Sequence, residues 1–584
     1  MTPPIRDITI VAAGQGGDGS VTLVSALGEL FAGRGYHVYE AREVASRVKG
    51  GVAAASLRAS VDPKRCLGDA TDLLVAFDAA ALEQNASALA PHAYVVYDSS
   101  EGPAPRGRIP ATASVIEAPL SRLAVRDLRR DLYKNSVALG LAARLLGAPD
   151  ALTEETLTTH LGKLSEQLRA ANVRALRAGF AYADEAGLTA GSASWSLDRI
   201  EAEERVLMTG NEAIAFGFLA AGGRFFAGYP ITPASEILEW LAERLPSFGG
   251  VVVQAEDELA AVNMTMGAAL TGTRAMTASS GPGIALMQEG VGHAASAEIG
   301  IVIVDCQRAG PSTGMPTKPE QSDIGMLISG GNGDIPRIVL APGDPREAFE
   351  LTVLACDLAD RYQGPVYVAS DQALSQNATT IRPPDVRGIS PDRGKLLREV
   401  DLRDAAEFRR YSLNGYGDGV SPWTAFGTPG GQHLVTGNER DEWGLVTTAP
   451  AMRTRMTEKR MRKLETVRDS LPRAVVSGDP KAEIALVGSG LETGVMREAA
   501  ERLAASGVAT KVVQIRTLWP ILEDVLEALD GCRAYVVEHN ATGQYAAALS
   551  AAGAAARVHS ILRYDGLPFR PSELVAAVEE KEFA

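Results

Sequence analysis

Phe225-Phe226-Ala227-Gly228-Tyr229-Pro230-Ile231-Thr232-Pro233-Ala234-Ser235-Glu236 is the stretch whose reading decides the fold. It reads as a short apolar strand, a proline-bound turn and the start of a helix. Prolines on both sides of Thr232 fix the backbone there and hold the hydroxyl at a strand's carboxyl end, where open α/β sheets keep their ligands. Working outward, the strand Val251-Val252-Val253-Gln254 delivers Glu256-Asp257-Glu258. A strand-to-turn segment from Arg274 to Gly283 then feeds a helix over Ile284 to Ala297. The strand Ile299 to Cys306 ends at Gln307-Arg308, followed by the loop Ala309 to Thr317, and Gly364 to Asp371 reads as the last strand. Strands alternating with helices in this way predict an α/β fold with a parallel sheet covered on both faces.

A chain of 584 residues exceeds one core, and ordinary domain sizes suggest about three or four. Hydrophobic residues make up 46% and mean hydropathy is near zero, the composition of ordinary globular proteins. A net charge of −15 argues against nucleic acid and anionic membrane surfaces as partners. No apolar run reaches the length of a membrane span, and the start Met1 to Asp7 lacks a signal-peptide core, so the expectation is a cytoplasmic protein without a membrane partner. Cys66, Cys306, Cys356 and Cys532 are scattered with no C-x-x-C, so neither a disulfide framework nor a metal or cluster site is legible in this chain.

Five regions follow from the pattern: a first α/β domain over 1–190, a linker over 191–204, a second α/β domain over 205–385, an irregular arm over 386–475 and a third α/β domain over 476–584. The first opens with the strand Asp7 to Ala13, the turn Gly14-Gln15-Gly16-Gly17-Asp18-Gly19 and a helix from Val21 to Ala32. Glycines before a helix can cradle phosphate, and Glu40 falls where a dinucleotide site keeps its ribose acid. A tight strand-to-helix turn is the preferred reading. Ser46-Arg47-Val48-Lys49-Gly50-Gly51 is either an anion-binding loop or a solvated one. Strands are expected over Val52 to Ser60 and Asp72 to Asp78, and a long helical region over Leu120 to Ala186. The arm is weakly periodic apart from a basic helix near Met456 to Val467.

Glu258 opens a helix of small residues, Glu258-Leu259-Ala260-Ala261-Val262-Asn263-Met264-Thr265-Met266-Gly267. An acid at a helix N-terminus is favoured by the dipole alone, by about half a kcal/mol, and that plain role is common. Glu256, two residues earlier, is the rival. The arrangement resembles the pyrimidine-binding half of thiamine diphosphate enzymes, in which a glutamate precedes a small-residue helix with a glycine at the same offset. The resemblance implies that Glu258 hydrogen-bonds a ring nitrogen of the aminopyrimidine and activates the cofactor.

Together with Gly228 to Glu236, Ser280-Gly281-Pro282-Gly283 and Gln307 to Gly314, the residues from about 200 to the end resemble the alpha subunit of the 2-oxoacid:ferredoxin oxidoreductases. The first 190 resemble that family's gamma subunit fused ahead of it, and 476–584 a transketolase C-terminal-like domain. What the resemblance implies is concrete. Tyr229, Pro230, Ile231, Thr232 and Glu258 face the cofactor; Thr232, Arg308, Ser312 and Thr313 face the substrate, with the Arg308 fork on the 2-oxoacid carboxylate. The plain alternatives are a surface ion pair for Arg308 and a helix cap for Thr232, a cap that Ser235 could equally supply.

Such enzymes show Gly-Asp-Gly and a metal-binding Asn in their diphosphate half. Gly417-Asp418-Gly419 with Asn438 lies in the irregular arm with short spacing, and Gly17-Asp18-Gly19 has no suitable Asn. No metal ligand is therefore expected in this chain. By the resemblance, Mg2+ and a [4Fe-4S] cluster belong to a beta subunit in an (alpha-beta)2 heterotetramer, with coenzyme A as co-substrate and ferredoxin as electron acceptor. The expected reaction is oxidative decarboxylation of a 2-oxoacid, with 2-oxoglutarate to succinyl-CoA favoured from the fused layout. The alternatives are a non-catalytic assembly or electron-transfer subunit, or a nucleotide-dependent dehydrogenase using the first glycine-rich turn.

Overall fold

The computed structural model describes residues 5–43, 52–188, 195–200, 204–403, 407–413, 416–554 and 557–583. The basic segment Ser46 to Gly51 and half of the linker, 191–194 and 201–203, lie outside the described residues. The chain forms two compact units. One comprises 1–208, 376–383 and 570–573; the other comprises 209–375, 384–569 and 574–584.

The first unit is built on an eight-stranded sheet in the order Ser114–Ala118, Leu89–Asp98, Thr71–Ala76, Asp7–Gln15, Val52–Ser60, His37–Glu43, Ala378–Ile381, Val206–Thr209. Asp7–Gln15 pairs parallel with Thr71–Ala76 but antiparallel with Val52–Ser60, which stands between it and His37–Glu43. The apolar faces of these strands and of the helix Ser20–Gly33 meet in a core that includes Ile10, Leu27, Phe31, Leu57 and Val75. The expected long helical region is broken into four helices, Leu120–Leu128, Lys134–Leu145, Asp150–His160 and Glu166–Glu185. Arg129 in a left-handed conformation stops the first, and Gly147, also left-handed, with Pro149 separates the second from the third.

The second unit holds two sheets. Its seven-stranded sheet runs Thr517–Trp519, Ile338–Leu340, Pro365–Asp371, Ile301–Gln307, Ala275–Ser279, Phe225–Gly228, Val251–Gln254. All neighbours are parallel except the first pair, in which Thr517–Trp519 adds an antiparallel edge. The five-stranded sheet runs Val475–Gly478, Thr510–Gln514, Ile484–Gly488, Arg533–Glu538, Arg557–Leu562 and is parallel apart from its first strand. One apolar core runs through both, with Val262, Met287 and Ile303 from the first and Val487, Val513 and Val536 from the second.

The arm is fastened to this unit by its helix, Pro450–Val467. Lys459 and Lys463 reach the buried Glu298 carboxylate at 2.6 and 2.7 Å, and Arg410 Nη2 donates to the Glu298 carbonyl at 2.6 Å. Among the described residues no helix is long and apolar enough to cross a membrane. All four cysteines are free and buried.

Candidate active site

The carboxyl ends of three neighbouring strands, Phe225–Gly228, Ala275–Ser279 and Ile301–Gln307, assemble the site. After the first comes the turn that carries Thr232, with a cis Thr232–Pro233 peptide. Its shape is held from below. Asn211, fully buried, donates from Nδ2 to the Pro233 carbonyl at 2.8 Å and to Glu236 Oε2 at 3.1 Å. The sequence suggests Asn211 only as a capping residue; the structure makes it the buttress of the turn. The following helix, Ser235–Arg244, has Ala234 at its cap position and no side-chain cap, so neither Thr232 nor Ser235 plays that part.

Arg308 follows the third strand and is buried. Its Nη1 donates to the Thr232 carbonyl at 2.6 Å, while its Nε is buried with no partner. The structure thus joins two of the residues singled out from sequence, through the Thr232 backbone, and rules out a surface ion pair as the role of Arg308. Burial pulls the guanidinium below its ordinary pKa, with Asp323 opposing. Arg308 lines a cavity of about 460 Å³ with Ser312, Glu320, Asp323, Gly281 and Gln544. Ser312 and Thr313 are exposed, as are Tyr229 and Pro230, whereas Ile231 and Thr232 are half-buried.

Glu258 is the first residue of the helix Glu258–Leu270 and is buried, while Glu256 is exposed. Asp257 caps the helix by accepting from Ala260 N at 2.7 Å, so Glu258 is left free of that task. Its side chain lies against Gly283, where an added Cβ would stand 2.6 Å from Glu258 Cγ and 2.7 Å from Oε1. The Gly281-Pro282-Gly283 turn therefore gives the Glu258 side chain its space, because position 283 has no side chain. Along the same helix Ala261 and Ala269 are buried, whereas Gly267 is exposed with nothing within 4 Å of where its Cβ would stand.

Both Gly-Asp-Gly sequences are committed to other bonds. Asp418 takes Lys395 Nζ on both oxygens, at 2.9 and 2.7 Å. Asp18 accepts from Gln15 N at 2.9 Å and pairs with Lys134 Nζ at 3.1 Å, so a carboxylate closes the first glycine-rich turn. Glu40 faces away from that turn, its Oε2 accepting from Ser25 Oγ at 3.1 Å and its Oε1 packed on Gly28. With an antiparallel strand also inserted between Asp7–Gln15 and His37–Glu43, the elements of a dinucleotide site are not brought together. Among the described residues no group of three or more His, Cys, Asp and Glu side chains could hold a metal.

This fold, a thiamine-type α/β site joined to a transketolase-like domain, defines the class: residues 217–413 match the family described as pyruvate flavodoxin/ferredoxin oxidoreductase, thiamine diphosphate-binding, and 473–577 the transketolase C-terminal domain. Residues 9–182 match the pyruvate ferredoxin/flavodoxin oxidoreductase family. The 2-oxoacid:ferredoxin oxidoreductase subunit alpha of Saccharolobus solfataricus is 30% identical over 98% of this chain and 97% of its own. The 2-oxoglutarate synthase subunit KorA of Archaeoglobus fulgidus is 36% identical over 55% of this chain and 84% of its own. The solved 2-oxoglutarate:ferredoxin oxidoreductase from Magnetococcus marinus, with 2-oxoglutarate, coenzyme A and succinyl-CoA bound, superposes with a TM-score of 0.91 at 34% identity, covering 99% of this chain and 100% of that one. The chain belongs to the 2-oxoacid:ferredoxin oxidoreductase family, as an alpha subunit carrying the family's gamma-type domain ahead of it.

Proposed function

We propose that this chain supplies the pyrimidine half of a thiamine diphosphate site and the carboxylate-binding arginine for the oxidative decarboxylation of 2-oxoglutarate to succinyl-CoA, passing electrons to ferredoxin. The observation that carries the reading is Arg308: a buried guanidinium, one arm tied to the Thr232 turn and Nε unsatisfied, on the wall of a cavity at the carboxyl end of the sheet. A fork in that state is suited to a substrate carboxylate.

Glu258 fits the cofactor, since it is a buried acid at the helix start, freed from capping by Asp257 and given its space by Gly283. The bound cofactor supplies the carbanion chemistry, and the chain's own residues position and hold protons. Glu258 holds the ring nitrogen's hydrogen bond; Thr232 and the exposed Tyr229 and Pro230 border the ring; Arg308 orients the acid; Ser312 and Thr313 bound the substrate from the loop. Mg2+, the diphosphate and the cluster fall to a beta subunit in an (alpha-beta)2 assembly, in the cytoplasm. Leu259, Met264 and Leu286, on the helices beside Glu258, are 44%, 42% and 49% exposed, an apolar face suited to such a partner.

The test is co-expression with the neighbouring reading frame, then a panel of 2-oxoacids with coenzyme A and viologen reduction. Turnover with 2-oxoglutarate at the highest kcat/KM is expected. A single chain that retains thiamine diphosphate and metal tightly with no companion would overturn the shared-site reading.

A further inference from the structure

Behind the wall that carries Arg308 lies a set of buried polar groups to which the reading above gives no task. Asp305, on the strand Ile301–Gln307, is fully buried, and neither carboxylate oxygen has a hydrogen-bond partner. Beside it in register on the next strand is Ser279, whose hydroxyl is also unpartnered. Asp323 stands at the entry to the helix Ile324–Ser329. Its carboxylate occupies the hollow left by Gly281, where a Cβ would fall 2.6 Å from Oδ2 and 2.7 Å from Oδ1, and Oδ2 is unpartnered. Asp323 lines the same cavity as Arg308 and Glu320. Arg308, the cation on the wall of that cavity, spends Nη1 on the Thr232 carbonyl, and its buried Nε meets neither carboxylate within hydrogen-bond distance.

An ionised carboxylate with neither oxygen bonded, as at Asp305, and a half-buried one with Oδ2 unbonded beside it, as at Asp323, are disfavoured in such a place, and the available relief is to keep protons. Burial pushes Asp323 up to about 7, with Glu320 adding and Arg308 opposing. Burial and then the charge of Asp323 push Asp305 well above the carboxylate range. The other titratable neighbours hold their own protons: burial pushes Tyr367, on the adjoining strand, up to about 12, and raises the Cys306 thiol. Glu320 is raised by burial as well.

We propose that Asp305 and Asp323 form a proton-holding pair for the cavity at Arg308, with Asp305 remaining a neutral acid and Asp323 exchanging its proton with the keto oxygen of the bound acid. The proposal rests on the functional reading above, because it needs a 2-oxoacid held by Arg308 in the cavity that Asp323 also lines. As the keto carbon gains its new bond, the C=O π pair moves onto oxygen, and that oxygen takes the proton of Asp323, which is left as carboxylate. When the carbonyl re-forms, the O–H pair returns to the C–O bond and the proton goes back to Asp323. Asp305 acts through Asp323 and is a positioning residue.

The experiment uses the full chain assembled with its partner subunit. In wild-type-minus-variant infrared spectra titrated with pH, Asp323→Asn should lose a carboxylic acid carbonyl band that titrates near neutrality and Asp305→Asn one that titrates at more alkaline pH, while Glu40 and Glu492, which burial also pushes up to about 7, give bands that both variants keep; both substitutions are isosteric and uncharged, so folding should survive. In turnover, wild-type kcat/KM should fall as pH rises through the Asp323 step. Asp323→Asn should lower kcat roughly 10²–10⁴-fold and lose that limb, while Asp323→Glu should retain it. Absence of any carboxylic acid band sensitive to either substitution overturns the pair, as does an unchanged pH limb in Asp323→Asn. A complex in which both substitution-sensitive bands are present but no 2-oxoacid is turned over upholds the pair and overturns the functional reading instead.

Discussion

Gly283→Ala puts one methyl group where the structure has no room for it. The new Cβ would overlap Ser279 Oγ and stand 2.6 and 2.7 Å from Glu258 Cγ and Oε1. Comfortable heavy-atom contacts lie at about 3.5–4.0 Å, so the Glu258 side chain has to retreat by roughly 1 Å. Two consequences separate. Overpacking of this kind lowers stability by about 1–3 kcal/mol. Displacing a group that must meet a bound ring by that distance lowers turnover on the order of 10²-fold. The assembled complex would be measured by denaturant unfolding and by 2-oxoacid-dependent viologen reduction. Adding Ser279→Ala to the same chain relieves the overlap with the hydroxyl but not that with Glu258. Stability should then recover in part while turnover stays low. Wild-type turnover in Gly283→Ala, or full recovery of turnover in the double variant, would refute the idea that this glycine exists to place the carboxylate.

Glu258→Gln keeps the shape and removes the acid, so the complex should assemble and turnover should be abolished; near-normal rates would take Glu258 out of the mechanism. Arg308→Lys replaces a fork with a point charge and forfeits charge-assisted hydrogen bonds worth about 1.5–3 kcal/mol, so kcat/KM for the 2-oxoacid should fall roughly 10–150-fold. At Glu298 one carboxylate serves two buried lysines, and burial lowers Lys459 to about 7. Because that pKa lies below the unfolded value, the unfolded chain binds more protons above about pH 7, and stability should climb with pH from there toward the ordinary lysine range. Lys459→Met should flatten the climb, as read by denaturation midpoints from about pH 6.5 to 9; an unchanged slope would exclude Lys459 as its source.

Much of the central site is legible because it is local. A strand, a turn and a helix start within a dozen residues fix where Thr232 stands, and the acid at the head of a small-residue helix identifies itself by position. The strands over 225–228, 251–254 and 301–307 fall within a residue or two of their expected places. Long-range pairing is not written in local periodicity. Val52–Ser60 reads as one more strand, but that it runs antiparallel between two parallel neighbours depends on partners far along the chain. The same holds for Thr517–Trp519, which leaves its own domain's sheet to extend another, and for Ala378–Ile381, which pairs with His37–Glu43. Asp305 and Asp323 are not legible in the sequence for a different reason. An aspartate near a strand end usually finds a donor, and only side-chain positions show that both oxygens of Asp305 and Oδ2 of Asp323 lack one.

The division of labour between this chain and a partner gains support from how its other acids are used. A carboxylate that is to bind a metal must have lone pairs free, yet Asp418 spends both oxygens on Lys395 and Asp18 is held by Lys134 and a backbone amide. Each is part of a structural ion pair that a metal would have to break. Glu258 is treated in the opposite way. Asp257 relieves it of capping, Gly283 clears its flank, and the helices beside it present apolar residues and an open Gly267 to whatever covers them. A protein that completed the cofactor site by itself would have little reason to leave that face exposed while tying the acids of both its Gly-Asp-Gly sequences into ion pairs. The pattern is the one expected if the pyrimidine end of the cofactor is this chain's responsibility and the diphosphate end arrives with a second polypeptide seated on that face.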